Sequence, residues 1–201
     1  MKKILIIYYS NNGSTKKMAE KISRGVNSVE NIEAIIRTLP NIKNTFDNEI
    51  ANEENVLFAT NEDLSNCDGL IMGSPTHFGN MAAPMKVFLD TTTTEWFNNT
   101  LSGKPAGVFT STSSIHGGQE TTLLTMMIPL LHHGMILSGI PYSENDLNET
   151  RTGGSPYGPT HFSGDKKEEL SKNEINLCIS FGERIAKLAK KLWKKSPYMN
   201  T

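Results

Sequence analysis

The chain has 201 residues and a formal net charge of −1, with 20 Lys and Arg set against 21 Asp and Glu. That length suits one domain with a sizeable core. The even charge balance excludes the basic stripe of a nucleic-acid binder and the acidic tail of a disordered partner arm.

Lys2 and Lys3 precede the apolar run Ile4–Tyr9, which is too short for a signal-peptide core and passes at once into Ser10-Asn11-Asn12-Gly13. No apolar run is long enough to cross a bilayer. Cys67 and Cys178 have neither metal-ligand nor Cys-x-x-Cys spacing. They read as reduced, partly buried residues of an intracellular protein. A cytoplasmic protein without membrane insertion, without a metal site and without a nucleic-acid partner is expected.

In chain order, Ile4–Tyr9 predicts a strand buried on both faces, and Met18, Ile22, Val26 and Val29 then recur at helical spacing. Ile32–Arg37 is a second strand, followed by the polar stretch Pro40–Asn55, expected as a surface excursion, and by Val56–Ala59, too short to assign. Gly69–Met72 predicts a third strand, and Met81, Met85, Phe88 and Leu89 a helix after it. Ala106–Thr110 is a fourth strand. Leu123, Leu124, Met127 and Leu131 mark the next helix, which Pro129 should kink or shorten.

Met135–Ile140 predicts a fifth strand, and the Gly- and Pro-rich stretch Pro141–Asp165 a long loop of the kind that often carries function. Cys178, Phe181, Ile185, Leu188 and Leu192 share one face of a closing helix. The lysines between Lys187 and Lys195 suit its last turns, where cations complement the helix dipole. Strands alternating with helices predict one α/β domain over residues 1–201, with right-handed crossovers, a covered parallel sheet and an insertion at about 141–165.

Three polar loops follow strands. Ser10, Asn11, Asn12, Gly13, Ser14 and Thr15 lie where the first strand meets a helix. Unpaired N–H groups and partial positive charge at a helix start suit a phosphate, and the hydroxyls add donors. The alternative is an ordinary helix capped by Ser14 or Thr15. The motif is neither a Walker A loop nor a Gly-x-Gly-x-x-Gly turn. The second loop, Gly73–Met81, offers Thr76, His77 and Phe78 to a flat ring. The third, Ser111–Glu120, is again hydroxyl-rich and glycine-bearing. Loops after alternate strands of an open α/β sheet meet at its carboxyl edge, where ligands bind.

Tyr8-Tyr9-Ser10, Gly73-Ser74-Pro75-Thr76 with Phe78-Gly79-Asn80-Met81, Gly117-Gly118-Gln119-Glu120, His132-His133-Gly134-Met135 and Gly153-Gly154-Ser155-Pro156-Tyr157-Gly158 occur in one order along the chain. In that order and spacing the chain resembles the WrbA-type NAD(P)H:quinone oxidoreductases from first strand to last helix. The resemblance implies a flavodoxin-like three-layer sandwich, with helices on both faces of a five-stranded parallel sheet in the order 2-1-3-4-5. It also implies FMN as cofactor and a homotetramer.

By position, the resemblance implies Ser10, Asn11, Asn12, Gly13, Ser14 and Thr15 on the FMN phosphate. Thr76, His77 and Phe78 would line the ring, as would Thr112, Ser113, Ser114, Ile115, His116 and Gly117. His132 would also contact the flavin, and Trp96, with Asn12, would wall the nicotinamide and quinone site. The family usually has arginine in place of His77, an aromatic residue in place of Asn12 and glycines in place of Ser113–His116. No catalytic acid or base is implied.

The expected function is two-electron reduction of quinones by NADH or NADPH, with hydride transfer through the bound flavin. The alternative is a flavodoxin-type electron carrier without a nicotinamide site. Carriers of that type are usually shorter and markedly acidic, unlike this chain.

Overall fold

The computed structural model describes residues 1–42, 56–164 and 169–192. Strand β1 (Lys2–Tyr8) lies between β2 (Ile32–Thr38) and β3 (Gly69–His77), parallel to both, with Ile4 opposite Ala34 on one side and Gly69 on the other. Alternate β1 side chains feed two cores. Ile4, Ile6 and Tyr8 pack on one face with residues of α1 (Ser14–Asn27) and α7 (Lys172–Leu192). Leu5, Ile7 and Tyr9 pack on the other with residues of α3 (Ala83–Asp90) and α5 (Gln119–His132). This period-2 division of one apolar run is why the strand must lie at the centre of the sheet.

The remaining elements are α2 (Asn61–Asn66), β4 (Asn80–Met81), α4 (Thr93–Phe97), β5 (Pro105–Thr112), β6 (Ile136–Leu137), α6 (Asn145–Glu149) and β7 (Thr160–Phe162). The sheet has seven strands along the path β2-β1-β3-β5-β6, with β4 on β3 and β7 on β5. Its five parallel positions follow the expected order 2-1-3-4-5, but the strand count differs from five for two reasons. The second loop folds back as an antiparallel hairpin, Thr76 opposite Met81, creating β4. The fifth position is divided: β6 pairs with Pro105–Ala106 and β7 with Thr110–Thr112 of the same strand β5.

Several sequence expectations need adjustment. The run Met135–Ile140 contributes only Ile136 and Leu137 to the ladder, because the chain leaves the sheet and returns as β7. The expected long loop there holds helix α6, and residues 165–168 lie outside those described. Met81 belongs to β4, and the helix after it starts at Ala83, next to Pro84. Val29 falls beyond the end of α1. Pro129 does not shorten α5. It lacks an N–H for the Thr125 carbonyl, yet the helix continues to His132 and His133 N–H reaches Pro129 O at 3.1 Å.

Phe58 bridges Thr38 at the end of β2, and most of the predicted surface excursion, residues 43–55, lies outside the described residues. Cys67 and Cys178 are fully rather than partly buried, and burial pushes the Cys67 thiol up to about 11. On α7, Leu192 is exposed, and the face buried is Leu177, Cys178, Phe181, Gly182, Ile185, Ala186 and Ala189. Lys190 and Lys191 stand in its last turn, and residues 193–195 lie outside the description. Among the described residues no helix is long and apolar enough to cross a membrane.

Candidate functional site

The chain leaves β1, runs to β2 on one side and then crosses to β3 on the other. A crevice therefore opens at the carboxyl ends of β1 and β3, and the loops after β1, β3 and β5 all reach it.

Helix α1 begins at Gly13, which has a φ of 88° and makes no side-chain cap. The expectation of an ordinary cap by Ser14 or Thr15 is thus not met. The hydroxyl of Ser10 instead accepts from Gly13 N–H at 3.0 Å, curling the loop under the helix start. No acidic residue stands in the first turn, and a Cβ on Gly13 would meet nothing within 4 Å. An uncapped helix start facing open space is a concave cluster of N–H donors with partial positive charge, which fits a phosphate. Asn11 and Asn12 are exposed, Ser10 and Ser14 half-buried. Thr15 is buried, and its Oγ1 lies 2.9 Å from Ser111 Oγ on β5.

The second loop is a tight hairpin. Phe78 and Gly79, at φ of 54° and 74°, turn the chain between β3 and β4. Phe78 projects fully into solvent, His77 is exposed and Thr76 half-buried. In the third loop, Thr112 is buried and its hydroxyl donates to Ser114 O at 2.9 Å. Ser113, Ser114, Ile115 and His116 are exposed, and Gly117 is half-buried.

Helix α5 starts from Gly118, at φ 91°, again without a side-chain cap. A Cβ there would lie 2.8 Å from Gly79 Cα, so the second and third loops touch backbone to backbone. The predicted residues of all three loops thus come together at one edge of the sheet.

His132 and Trp96 do not join them. They line a separate groove of about 660 Å³ that runs from Asn80 and Met81 along α5, past Thr125, Ile128 and Pro129, to His132 and His133. Thr125 Oγ1 donates to Asn80 Oδ1 at 3.0 Å at one end of this groove. His132 lies roughly 10 Å further down the helix at 1.5 Å per residue. Beside it, burial pushes the His133 imidazole below its ordinary value, against the raising influence of Glu95.

Sequence reasoning missed several residues here. The groove lining of Lys86, Thr125 and Ile128 carries no local motif. Thr110 and Thr122, each hydroxyl-bonded to Thr76, were missed as well, and for Thr110 the only hint is the run of hydroxyl residues that closes an otherwise apolar strand. Among the described residues no group of three or more His, Cys, Asp or Glu gathers to hold a metal ion.

A family model described as NADPH-dependent FMN reductase matches residues 2–145. An NAD(P)H dehydrogenase (quinone) from Solidesulfovibrio magneticus is 40% identical, with 94% of this chain and 98% of that relative covered. In structure the chain is similar to a WrbA-like flavodoxin from Agrobacterium tumefaciens, with a TM-score of 0.68 at 20% identity, covering 96% of this chain and 100% of that one. It is also similar to oxidised flavodoxin 1 from Bacillus cereus, with a TM-score of 0.60 at 18% identity, covering 92% of this chain and 97% of that one. The fold is flavodoxin-like.

Proposed function

The chain belongs to the NADPH-dependent FMN reductase family, and on that premise we propose that it is an FMN-dependent NAD(P)H dehydrogenase acting on quinones. The observation that carries the reading is the uncapped start of α1 at Gly13, open to solvent at the edge where three loops meet. When bound there, FMN supplies two-electron chemistry between NADH or NADPH and a quinone.

The chain's own part is to bind and orient. The N–H groups at the start of α1, with the hydroxyls of Ser10, Ser14 and Thr15 and the amides of Asn11 and Asn12, hold the phosphate. Thr76, His77 and Phe78 on one side and Thr112, Ser113, Ser114, Ile115, His116 and Gly117 on the other flank the ring. Main-chain donors in these loops are fixed before the ligand arrives, which favours negative charge on it without reorganisation. No side chain is assigned as acid or base.

The chain assembles as a homotetramer in this reading. Phe97 is 77% exposed, Leu131 57%, Ile128 55% and Trp96 50%, a cluster of apolar side chains along α4 and α5 that a lone chain leaves in water. The position of Trp96 and His132 supports the same view. Trp96 on α4 and His132 at the end of α5 line the groove and not the ring loops of their own chain; in this reading they serve the flavin of a neighbouring subunit, with Trp96 and Asn12 beside nicotinamide and quinone. Buried, unpaired Cys67 and Cys178 suit the reducing cytoplasm.

One cuvette tests the activity. Purified protein titrated with FMN should quench flavin fluorescence to saturation, and then oxidise NADH or NADPH steadily when benzoquinone is added. Saturation without turnover would indicate an electron carrier, and absence of flavin binding would overturn the reading. Light scattering should give four times the chain mass; a monomer at working concentration would refute the assembly.

A further inference from the structure

Beneath the two ring-flanking loops, three threonine hydroxyls form a chain. Thr122 Oγ1 lies 3.1 Å from Thr76 Oγ1 and 2.8 Å from Gly118 O. Thr76 Oγ1 lies 3.2 Å from Thr110 Oγ1, which in turn lies 2.7 Å from Ser74 O. Both ends of this chain are tied to carbonyls, Ser74 O and Gly118 O. A carbonyl only accepts, so the single proton of Thr110 goes to Ser74 O. The contact between Thr110 and Thr76 then draws on the Thr76 proton. By the same rule the Thr122 proton is drawn first to Gly118 O, at the shorter distance, and its contact with Thr76 takes a share of that proton or of the Thr76 one.

Thr110 and Thr122 are wholly buried, so no bulk water stands in for either hydroxyl. The chain joins the end of β3, the end of β5 and the first turn of α5. It does so directly below the point where Gly79 and Gly118 touch. With its proton spent within the chain, Thr76 has none left to donate to a ligand and meets one through its main chain or as an acceptor.

We infer that Thr122 is a positioning residue for the ring site: through the hydroxyl chain that joins Thr122, Thr76 and Thr110 it holds the second and third loops at a fixed separation. The inference rests on the FMN reading of that site.

The test compares wild type with Thr122→Val, Thr110→Val, the double variant and Thr122→Ser, after urea unfolding has shown each to be folded. FMN affinity is read by fluorescence titration, and ring orientation by visible circular dichroism of the bound flavin. Each valine variant should bind FMN about tenfold more weakly and alter the dichroism. Thr122→Ser should restore both. The double variant should be no weaker than the worse single one, because both substitutions break the same chain.

Wild-type affinity and dichroism in Thr122→Val, or penalties that multiply in the double variant, would overturn the inference. Amide exchange in the FMN-free proteins separates this result from failure of the FMN reading. Loops Phe78–Met81 and Ser113–Gly118 should exchange faster without the Thr122 hydroxyl even if wild type binds no flavin, and unchanged exchange would count against the chain. Should the valine variants not fold, Thr122→Ala against Thr122→Ser isolates the same hydroxyl.

Discussion

Thr15 Oγ1 and Ser111 Oγ lie 2.9 Å apart, joining the first turn of α1 to the last turn-ward residues of β5. Both side chains are buried, at 1% and 5% exposure. Only one of the two hydroxyls donates across the contact, so in the proposed function the proton of the other serves a phosphate oxygen at the helix start. The pair therefore links the phosphate loop to the strand that carries the third loop.

Thr15→Val removes this link at nearly constant shape. Hydrogen bonds to charged groups contribute about 1.5–3 kcal/mol, so FMN affinity should fall roughly tenfold to a hundredfold, as fluorescence titration would read. Thr15→Glu should abolish FMN binding by placing like charge at the phosphate. It also buries a carboxylate, so its unfolding must be measured alongside. Unchanged affinity in Thr15→Val would remove Thr15 from the phosphate site.

Gly118→Ala tests the contact between the loops from the rim. The new Cβ would lie 2.8 Å from Gly79 Cα, on a residue whose φ is 91°. A non-glycine residue in that region costs on the order of 1–3 kcal/mol, and relief of the clash must push the second and third loops apart. Stability in urea should drop by about that amount, with FMN affinity falling in parallel. An alanine variant with wild-type affinity would show that the spacing of the loops is not critical.

Much of this arrangement is legible in the sequence where the signal is local. Ile4–Tyr9 reads as a central strand because its alternate residues have to fill two cores. The ends of β3 and β5 read short because Ser74–His77 and Ser111–Thr112 are polar, and pairing with neighbours keeps them in the ladder regardless. The fifth position resists reading because half of it comes from Thr160–Phe162, across the insertion. Glu174 carries no local motif, because its partners Gly153, His161 and Phe162 come from the insertion that precedes its helix. Thr110 and Thr122 have the same character: each looks like an ordinary strand-end or helix residue until the fold brings it to Thr76.

Glu174 is the anchor of the insertion. Its buried carboxylate accepts from Gly153 N–H at 2.9 Å, Phe162 N–H at 3.2 Å, Ser171 N–H at 2.7 Å and His161 Nδ1 at 3.0 Å. Burial pushes the carboxyl up, but the hydrogen bonds from His161, Ser171 and Phe162 outweigh it and hold the group below its ordinary 4.5. A carboxyl depressed in the folded state stabilises above its unfolded value, and that contribution is lost as pH falls from about 4.5 through the folded value. Glu174→Gln should cost roughly 2 kcal/mol in urea at neutral pH and flatten the acid limb of the stability profile. Amide exchange at Gly153 and Phe162 should accelerate; full protection there would deny Glu174 the role of anchor.

His133 gives a pH dependence of opposite chemical origin. Thr92 Oγ1 donates its proton to Leu89 O at 2.7 Å, so the contact of 2.9 Å between Thr92 Oγ1 and His133 Nε2 needs the proton on Nε2. The neutral ring then leaves Nδ1 as a buried acceptor with no partner among the described residues. Protonation would put a second N–H in that same place with nothing to receive it. Burial accordingly lowers the pKa below 6.5, helped by His132 and opposed by Glu95. Because the unfolded chain takes up this proton first, stability should begin to fall as pH drops below about 6.5 and level off once the folded value is passed. His133→Gln keeps a donor for Thr92 without a titrating ring. Melting temperatures of the two proteins measured between pH 8 and pH 5 should diverge, the wild type losing more on the acid side. Parallel profiles would mean that the His133 imidazole takes up its proton in the fold as readily as in the unfolded chain.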